Sequence, residues 1–179
     1  MSQSPVKFLP YGKHSLDEDD IAAVIEVLKS DWLTTGPTIE KFEKAFAEKV
    51  NANEAVVCSS GSAALHLAML GLQCGPGDAV IVPAQTFLAT ANACRYVGAE
   101  VIFSDVDAET GLMGPENLEA TLLHRVKNVT VKAIFVVHLA GQCADLKALS
   151  AIADREGVPI IEDACHALGA KVDKTTIGD

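Results

Sequence analysis

Ser59-Ser60-Gly61-Ser62-Ala63-Ala64-Leu65 follows directly on the apolar run 55–58 and opens a stretch with helical spacing. Small residues there leave backbone N–H groups accessible at the positive end of a helix, which makes a cup for a phosphate or another anion. The same serines would also serve as ordinary N-caps, and the segment alone does not separate the two. A second segment, Pro83-Ala84-Gln85-Thr86-Phe87-Leu88-Ala89-Thr90-Ala91-Asn92, follows another apolar run. Phe87 at a helix start could cover the face of a planar ring, or could fill the core. In Val136-Val137-His138-Leu139-Ala140-Gly141-Gln142 a histidine and a glutamine end an apolar run. Their side chains could bond a ligand or satisfy the backbone of their own loop.

The fourth segment is Ile160-Ile161-Glu162-Asp163-Ala164-Cys165-His166-Ala167-Leu168-Gly169. An acidic pair closing a buried run is costly without a partner, because a carboxylate leaving water needs a cation or a donor. A protonated ring nitrogen would be such a partner, and nearby backbone N–H groups would be another. No metal centre is expected. The five cysteines, Cys58, Cys74, Cys94, Cys143 and Cys165, are an odd number, and none stands in the pair spacing of a zinc site. The five histidines are scattered as well.

These segments need a frame that brings them to one edge. Apolar runs at 55–58, 79–82, 101–103, 133–137 and 159–161 read as buried strands. Between them, 62–72, 86–97, 115–124 and 145–156 carry apolar residues at helical spacing. Strand–helix alternation implies a largely parallel sheet covered by helices, with ligands at the carboxyl ends of the strands. Asp163 is therefore expected to end a central strand, on the same side as the 60–63 turn. Ahead of this pattern, Ser15 and Glu18 form a capping-box spacing for a helix reaching about Lys29. Pro37 opens a second helix with a buried stripe of Ile39, Phe42, Ala45, Phe46 and Val50.

Composition narrows the function classes. With 49% hydrophobic residues, 179 residues can bury a core of ordinary size. The 24 acidic residues against 14 basic ones give a formal charge of -10, which opposes binding to nucleic acid or an anionic membrane. A small molecule is the expected partner. No apolar run is long enough to cross a membrane, and residues 1–13 lack the pattern of a secretory signal, so the expected location is the cytoplasm.

Taken in order, the four segments resemble the sugar-aminotransferase family of pyridoxal phosphate enzymes, the group related to DegT. Likeness begins at Tyr11-Gly12 and Ser15-Leu16, passes through Asp31-Trp32-Leu33-Thr34-Thr35-Gly36-Pro37 and continues to Gly178-Asp179. The resemblance implies an α/β fold, the three-layer, mostly parallel sheet of the fold type I large domain, truncated here. It implies a helical segment over 1–50 and a partial cofactor-binding domain over 51–179, with a smaller C-terminal domain lying beyond the chain.

By the same resemblance the cofactor is pyridoxal 5'-phosphate (PLP). Ser62 and Ala63 would hold its phosphate, Phe87 would stack on the ring and Asp163 would pair with the ring nitrogen. His166 would lie near the phenolic oxygen, and Gln142 near the cofactor or the amino donor. The family's Schiff-base lysine is expected beyond Asp179, so no catalytic residue is expected among the 179. Lys171 and Lys174 lack the aromatic-Ser-aromatic-His-Pro context that leads to it.

The implied partners are an amino-acid donor, a nucleotide-linked keto sugar and a second copy of the complete protein. Within the family, residues 11–17 and 31–37 resemble the branch that makes a 4-amino sugar for pseudaminic acid from a UDP-linked 4-keto-6-deoxyhexosamine. A non-catalytic remnant and a related dehydratase that replaces the lysine are the alternative readings.

Overall fold

The computed structural model describes residues 8, 10, 12–124 and 129–178; Tyr11 and Asp179 of the motifs above lie outside the described residues. Two compact units are present, residues 1–42 and Glu43–Asp179.

In the first unit, helix α1 spans Glu18–Lys29. Its cap is Asp17 rather than Ser15, and its capping box is Asp17 with Asp20: Asp17 accepts from the N–H groups of Asp19 and Asp20, and the Asp20 carboxylate accepts from Asp17 N–H. An aspartate caps as well as a serine, and Glu18, Asp19 and Asp20 complement the positive helix end. Helix α2, Pro37–Val50, buries Ala47 and Val50, whereas Ile39, Phe42 and Phe46 of the expected stripe are exposed.

The second unit is a sandwich of helices about a sheet. Strands β1 (Asp78–Pro83), β2 (Glu100–Ser104), β3 (Thr130–Val137) and β4 (Ile160–Asp163) pair in parallel in the order β2-β1-β3-β4. Helices α3 (Gly61–Gly71) and α4 (Leu88–Tyr96) cover one face, and α5 (Pro115–His124) and α6 (Leu146–Glu156) cover the other.

Alternation along the strands sorts the core. Val80, Val82, Ala133 and Phe135 pack with Leu65, Met69, Ala89 and Ala93 of α3 and α4. Ile81, Ile134 and Val136 pack with Leu118, Leu122, Leu149 and Ile152 of α5 and α6. A sheet covered on both faces explains why β1 and β3 read as unbroken apolar runs instead of an alternating pattern.

The expected strand at 55–58 is absent. Val56 is 82% exposed, and no described strand offers the segment a ladder. A strand exists only as part of a pair, and the N–H of Val57 donates instead to Glu43 Oε1 at 2.8 Å. The sheet also places Asp163 differently from expectation. Among the described residues β4 is an edge strand, and the centre is formed by β1 and β3. Beyond β4, a short antiparallel hairpin joins β5 (Lys171–Val172) to β6 (Thr175–Thr176).

Chain direction creates the crevice. From β1 the chain leaves through α4 on one face toward β2, and from β3 it leaves through α6 on the other face toward β4. Adjacent strands whose connections part in this way leave a gap between their carboxyl-end loops, where such sheets bind ligands.

Candidate functional site

Asp163 anchors the site. It pairs with Val137 in the β3–β4 register, which turns its side chain to the α3/α4 face. The residue is only 7% exposed. Its Oδ2 accepts a 2.7 Å hydrogen bond from the hydroxyl of Thr90, itself fully buried in α4. With the Thr90 proton committed to Asp163, the 2.8 Å contact between Thr86 and Thr90 must have Thr86 as donor. The two hydroxyls and the carboxylate thus form a directed chain. Asp163 Oδ1 receives a 3.4 Å contact from the N–H of Cys165, the Cys165 thiol also bonds to the carboxylate, and no cationic side chain pairs with Asp163 among the described residues. A buried carboxylate served by neutral donors alone fits a cationic N–H partner.

The start of α3 lies against the same strand end. Ser60 caps the helix, its hydroxyl oxygen accepting from Ala63 N–H at 3.2 Å, and a Cβ on Gly61 would stand 3.1 Å from Cys165 Sγ. The helix-start N–H groups of Gly61 and Ser62 have no intrahelical acceptor, so they are available to an anion. Ser62 is exposed and Ala63 half-buried. Phe87 is the N-cap of α4, without a side-chain capping bond and 72% exposed, so core filling is not its role. Its carbonyl accepts from Thr90 N–H, which ties it to Asp163 through the first turn of α4.

The third segment joins the fourth. Leu139–Gly141 form a tight 3-10 turn in which Ala140 and Gly141 both have positive φ, 55° and 83°. Ala140 N–H donates to His166 Nδ1 at 3.1 Å, and a Cβ on Gly141 would meet His166 O at 3.1 Å, so this glycine permits the close approach. Gln142 is exposed on the same loop, with its N–H bonded to Leu139 O. The structure therefore gathers Ala63, Phe87 and Asp163 around β4's end through Gly61–Cys165 and Thr90. The turn that carries Gln142 packs against His166 through Ala140 and Gly141. No direct side-chain bond links Ser62, Phe87 or Gln142 to Asp163.

The role of Thr90 and the pairing of His138 with Glu162 are what sequence reasoning missed. Thr86 and Thr90 stand four apart, which in the expected helix over 86–97 sets the two hydroxyls side by side and was the available signal; in the structure Thr86 precedes the Phe87 cap and still reaches Thr90. His138 faces its own loop: its Nδ1 accepts from Ala144 N–H at 3.1 Å, and its Nε2 meets Glu162 Oε2 at 2.9 Å. The acidic pair is thereby divided between the two sheet faces, Asp163 to Thr90 and Glu162 to His138.

Cys165 is a further marker of the site's electrostatics. Partial burial, with a hydrogen bond to and the negative charge of Asp163, pushes its thiol up to about 11. A raised thiol pKa means less thiolate at any pH below it. Peptide-resolved alkylation by iodoacetamide at pH 8 should therefore label Cys165 roughly tenfold more slowly than a thiol at the ordinary value of 9.0, despite its exposure, because the scarcer thiolate is also the more nucleophilic. Replacing Asp163 by Asn should speed it. Labelling at the rate of a free thiol would contradict the assignment.

Among the described residues no helix is long and apolar enough to cross a membrane, and no cluster of His, Cys, Asp or Glu could hold a metal ion.

Comparison with known proteins agrees with this geometry. The model of the DegT/DnrJ/EryC1/StrS aminotransferase family matches residues 14–179. An aminotransferase from Psychrobacter cryohalolentis is 34% identical, with a TM-score of 0.85, over 96% of this chain and 42% of its own. DesV from S. venezuelae is 37% identical, with a TM-score of 0.82, over 88% of this chain and 41% of its own. Spr1654 from Streptococcus pneumoniae, in a PLP form, is 29% identical, with a TM-score of 0.86, over 95% of this chain and 46% of its own. The chain spans less than half the length of these relatives. Their likeness confirms the α/β, mostly parallel fold of the PLP-dependent aminotransferases, and the chain belongs to the DegT/DnrJ/EryC1/StrS aminotransferase family.

Proposed function

We propose that this chain forms the cofactor-binding part of an aminotransferase that moves an amino group from an amino acid, glutamate in the first instance, to a nucleotide-linked 4-keto sugar. The cofactor is PLP, which supplies an electron-accepting ring when bound. Residues 1–50 serve as a helical segment and 51–179 as part of the large domain, in a protein that works as a homodimer in the cytoplasm.

The N–H of Ser62 and that of Ala63, which would exchange the Ser60 hydroxyl for the ligand, hold the phosphate at the start of α3. Phe87 covers one ring face. Asp163 holds a proton on the ring nitrogen, and Thr86 and Thr90 orient its carboxylate. His166 would lie near the ring's phenolic oxygen, donating from Nε2 because Nδ1 already accepts from Ala140 N–H, and Gln142 near the cofactor or the amino donor. The observation that carries this reading is Asp163: a buried carboxylate, oriented by a buried threonine and lacking a cation, beside an open helix start. The substrate class rests on residues 11–17 and 31–37, whose wording resembles the branch acting on UDP-linked 4-keto-6-deoxyhexosamines for pseudaminic acid.

Titrating the chain with PLP, followed by visible absorbance, tests the site. Saturable binding that inorganic phosphate weakens is expected, and failure to bind would remove the reading. Lys171 and Lys174 lie exposed on the β5–β6 hairpin like other surface lysines, so borohydride reduction and peptide mapping should show no adduct selective for either. For the native protein, glutamate-dependent conversion of a panel of 4-keto sugar nucleotides, read by mass spectrometry, tests the substrate. Transfer to none of them would overturn the sugar assignment.

A further inference from the structure

His138 is the least exposed ionisable residue beside the crevice, and the cofactor reading gives it no role. Its side chain is 0% exposed and makes two hydrogen bonds of fixed direction. Ala144 N–H can only donate, so Nδ1 must carry the lone pair. The proton then sits on Nε2 and donates to Glu162 Oε2 at 2.9 Å. The ring is thereby fixed in one tautomer by groups on two elements. It closes the loop 138–144, and the backbone N–H of His138 donates to Asp163 O, extending the β3–β4 ladder to the loop's first residue.

That closure bears on the neighbouring histidine. Between the two ends of the loop lie Ala140 and Gly141 in left-handed conformations, and Ala140 has no glycine's freedom to adopt φ 55°. An alanine is held there only where its surroundings fix it. From this position Ala140 N–H donates to Nδ1 of His166, which makes His166 in its neutral form an Nε2–H donor. The two histidines are thus connected through one short loop: Glu162 to His138, His138 to Ala144, and Ala140 to His166.

We propose that His138 is a positioning residue whose fixed Nε2–H tautomer clamps the 138–144 loop and so presets His166 as a hydrogen-bond donor. His138 itself does not touch the ligand. The value of presetting is that His166 presents one hydrogen-bonding character to an acceptor on the ligand, rather than an average of two. The ligand part of this inference rests on the cofactor reading, while the clamp stands on the protein alone.

The test uses two substitutions that separate the ring's contacts. In His138→Asn the amide oxygen can take the place of Nδ1 and still accept from Ala144 N–H, but the reach to Glu162 is lost. In His138→Gln the amide nitrogen can still donate to Glu162, but the acceptor at Nδ1 is lost. The cofactor-free chain is examined by two-bond proton–nitrogen NMR of its imidazoles and by amide exchange.

The wild type should show His138 with Nε2 protonated and Nδ1 bare. Loss of one hydrogen bond at the clamp should speed exchange at Ala144 and Ala140 by about tenfold in His138→Gln. The same variant should move the His166 ring nitrogens toward averaged tautomers, whereas His138→Asn should stay close to the wild type in both. PLP affinity, read separately, should fall severalfold in His138→Gln only. A wild-type His138 protonated at Nδ1 overturns the proposal even if neither variant folds. Equal changes in both variants with a lowered melting temperature also overturn it, since they mark a general packing role. Absence of PLP binding in the wild type, with the NMR pattern as expected, would instead sink the cofactor reading and leave the clamp standing.

Discussion

Replacing Asp163 by Asn is expected to weaken PLP binding by about 10- to 100-fold while leaving the fold intact. The amide retains an oxygen to accept from Thr90, so the buried hydroxyl keeps its partner. What disappears is the negative charge, and with it a charge-assisted bond to the ring nitrogen of about 1.5–3 kcal/mol. Replacing Thr90 by Val should produce a smaller loss, because the carboxylate remains but is no longer oriented, and Thr90→Ser should restore most of it. Absorbance titrations of the three variants against the wild type measure this order. Equal affinity in wild type and Asp163→Asn would remove Asp163 from the site.

Phe135→Ala should be the most damaging single change to the fold. Phe135 is fully buried in β3, among Leu65, Met69 and Ala93 on the α3/α4 face. Truncating such a side chain loses its transfer free energy and leaves a cavity, at a cost of about 3–5 kcal/mol. Two residues later comes Val137, the register partner of Asp163, so loosening β3 also loosens the site. Urea unfolding followed by circular dichroism gives the difference. A loss below about 1 kcal/mol would show that the α3/α4 core repacks around position 135.

The legible part of this fold was the part governed by local pattern. The runs 79–82 and 133–137 are apolar throughout because both sheet faces are covered, and both became strands. Pro115 to His124 matched its helix at both ends. Residues 55–58 have the same composition but no strand beside them, and pairing is a property of the neighbour, which the run itself does not encode. The Ser15–Glu18 spacing points to Ser15 as cap, whereas the three acids that follow Asp17 favour the later start that the helix takes.

The site was legible as a set of strand-following segments, but its internal bonding was not. Nothing in the order of residues shows that Thr90 meets Asp163, 73 positions away, since that contact depends on α4 and β4 sharing one face. Likewise Glu162 and Asp163 read as one acidic pair, and only the alternation of the strand sends them to different partners. In the sequence His138 is a polar residue at a strand end with two roles open to it, and in the structure it serves its own loop.

A crystal structure of the chain with PLP tests the central claim most directly. The account predicts the phosphate within hydrogen-bond distance of the N–H groups of Ser62 and Ala63, Phe87 against the ring, and the ring nitrogen on Asp163 Oδ1. PLP bound elsewhere, or bound in the crevice with its ring nitrogen away from Asp163, would contradict it.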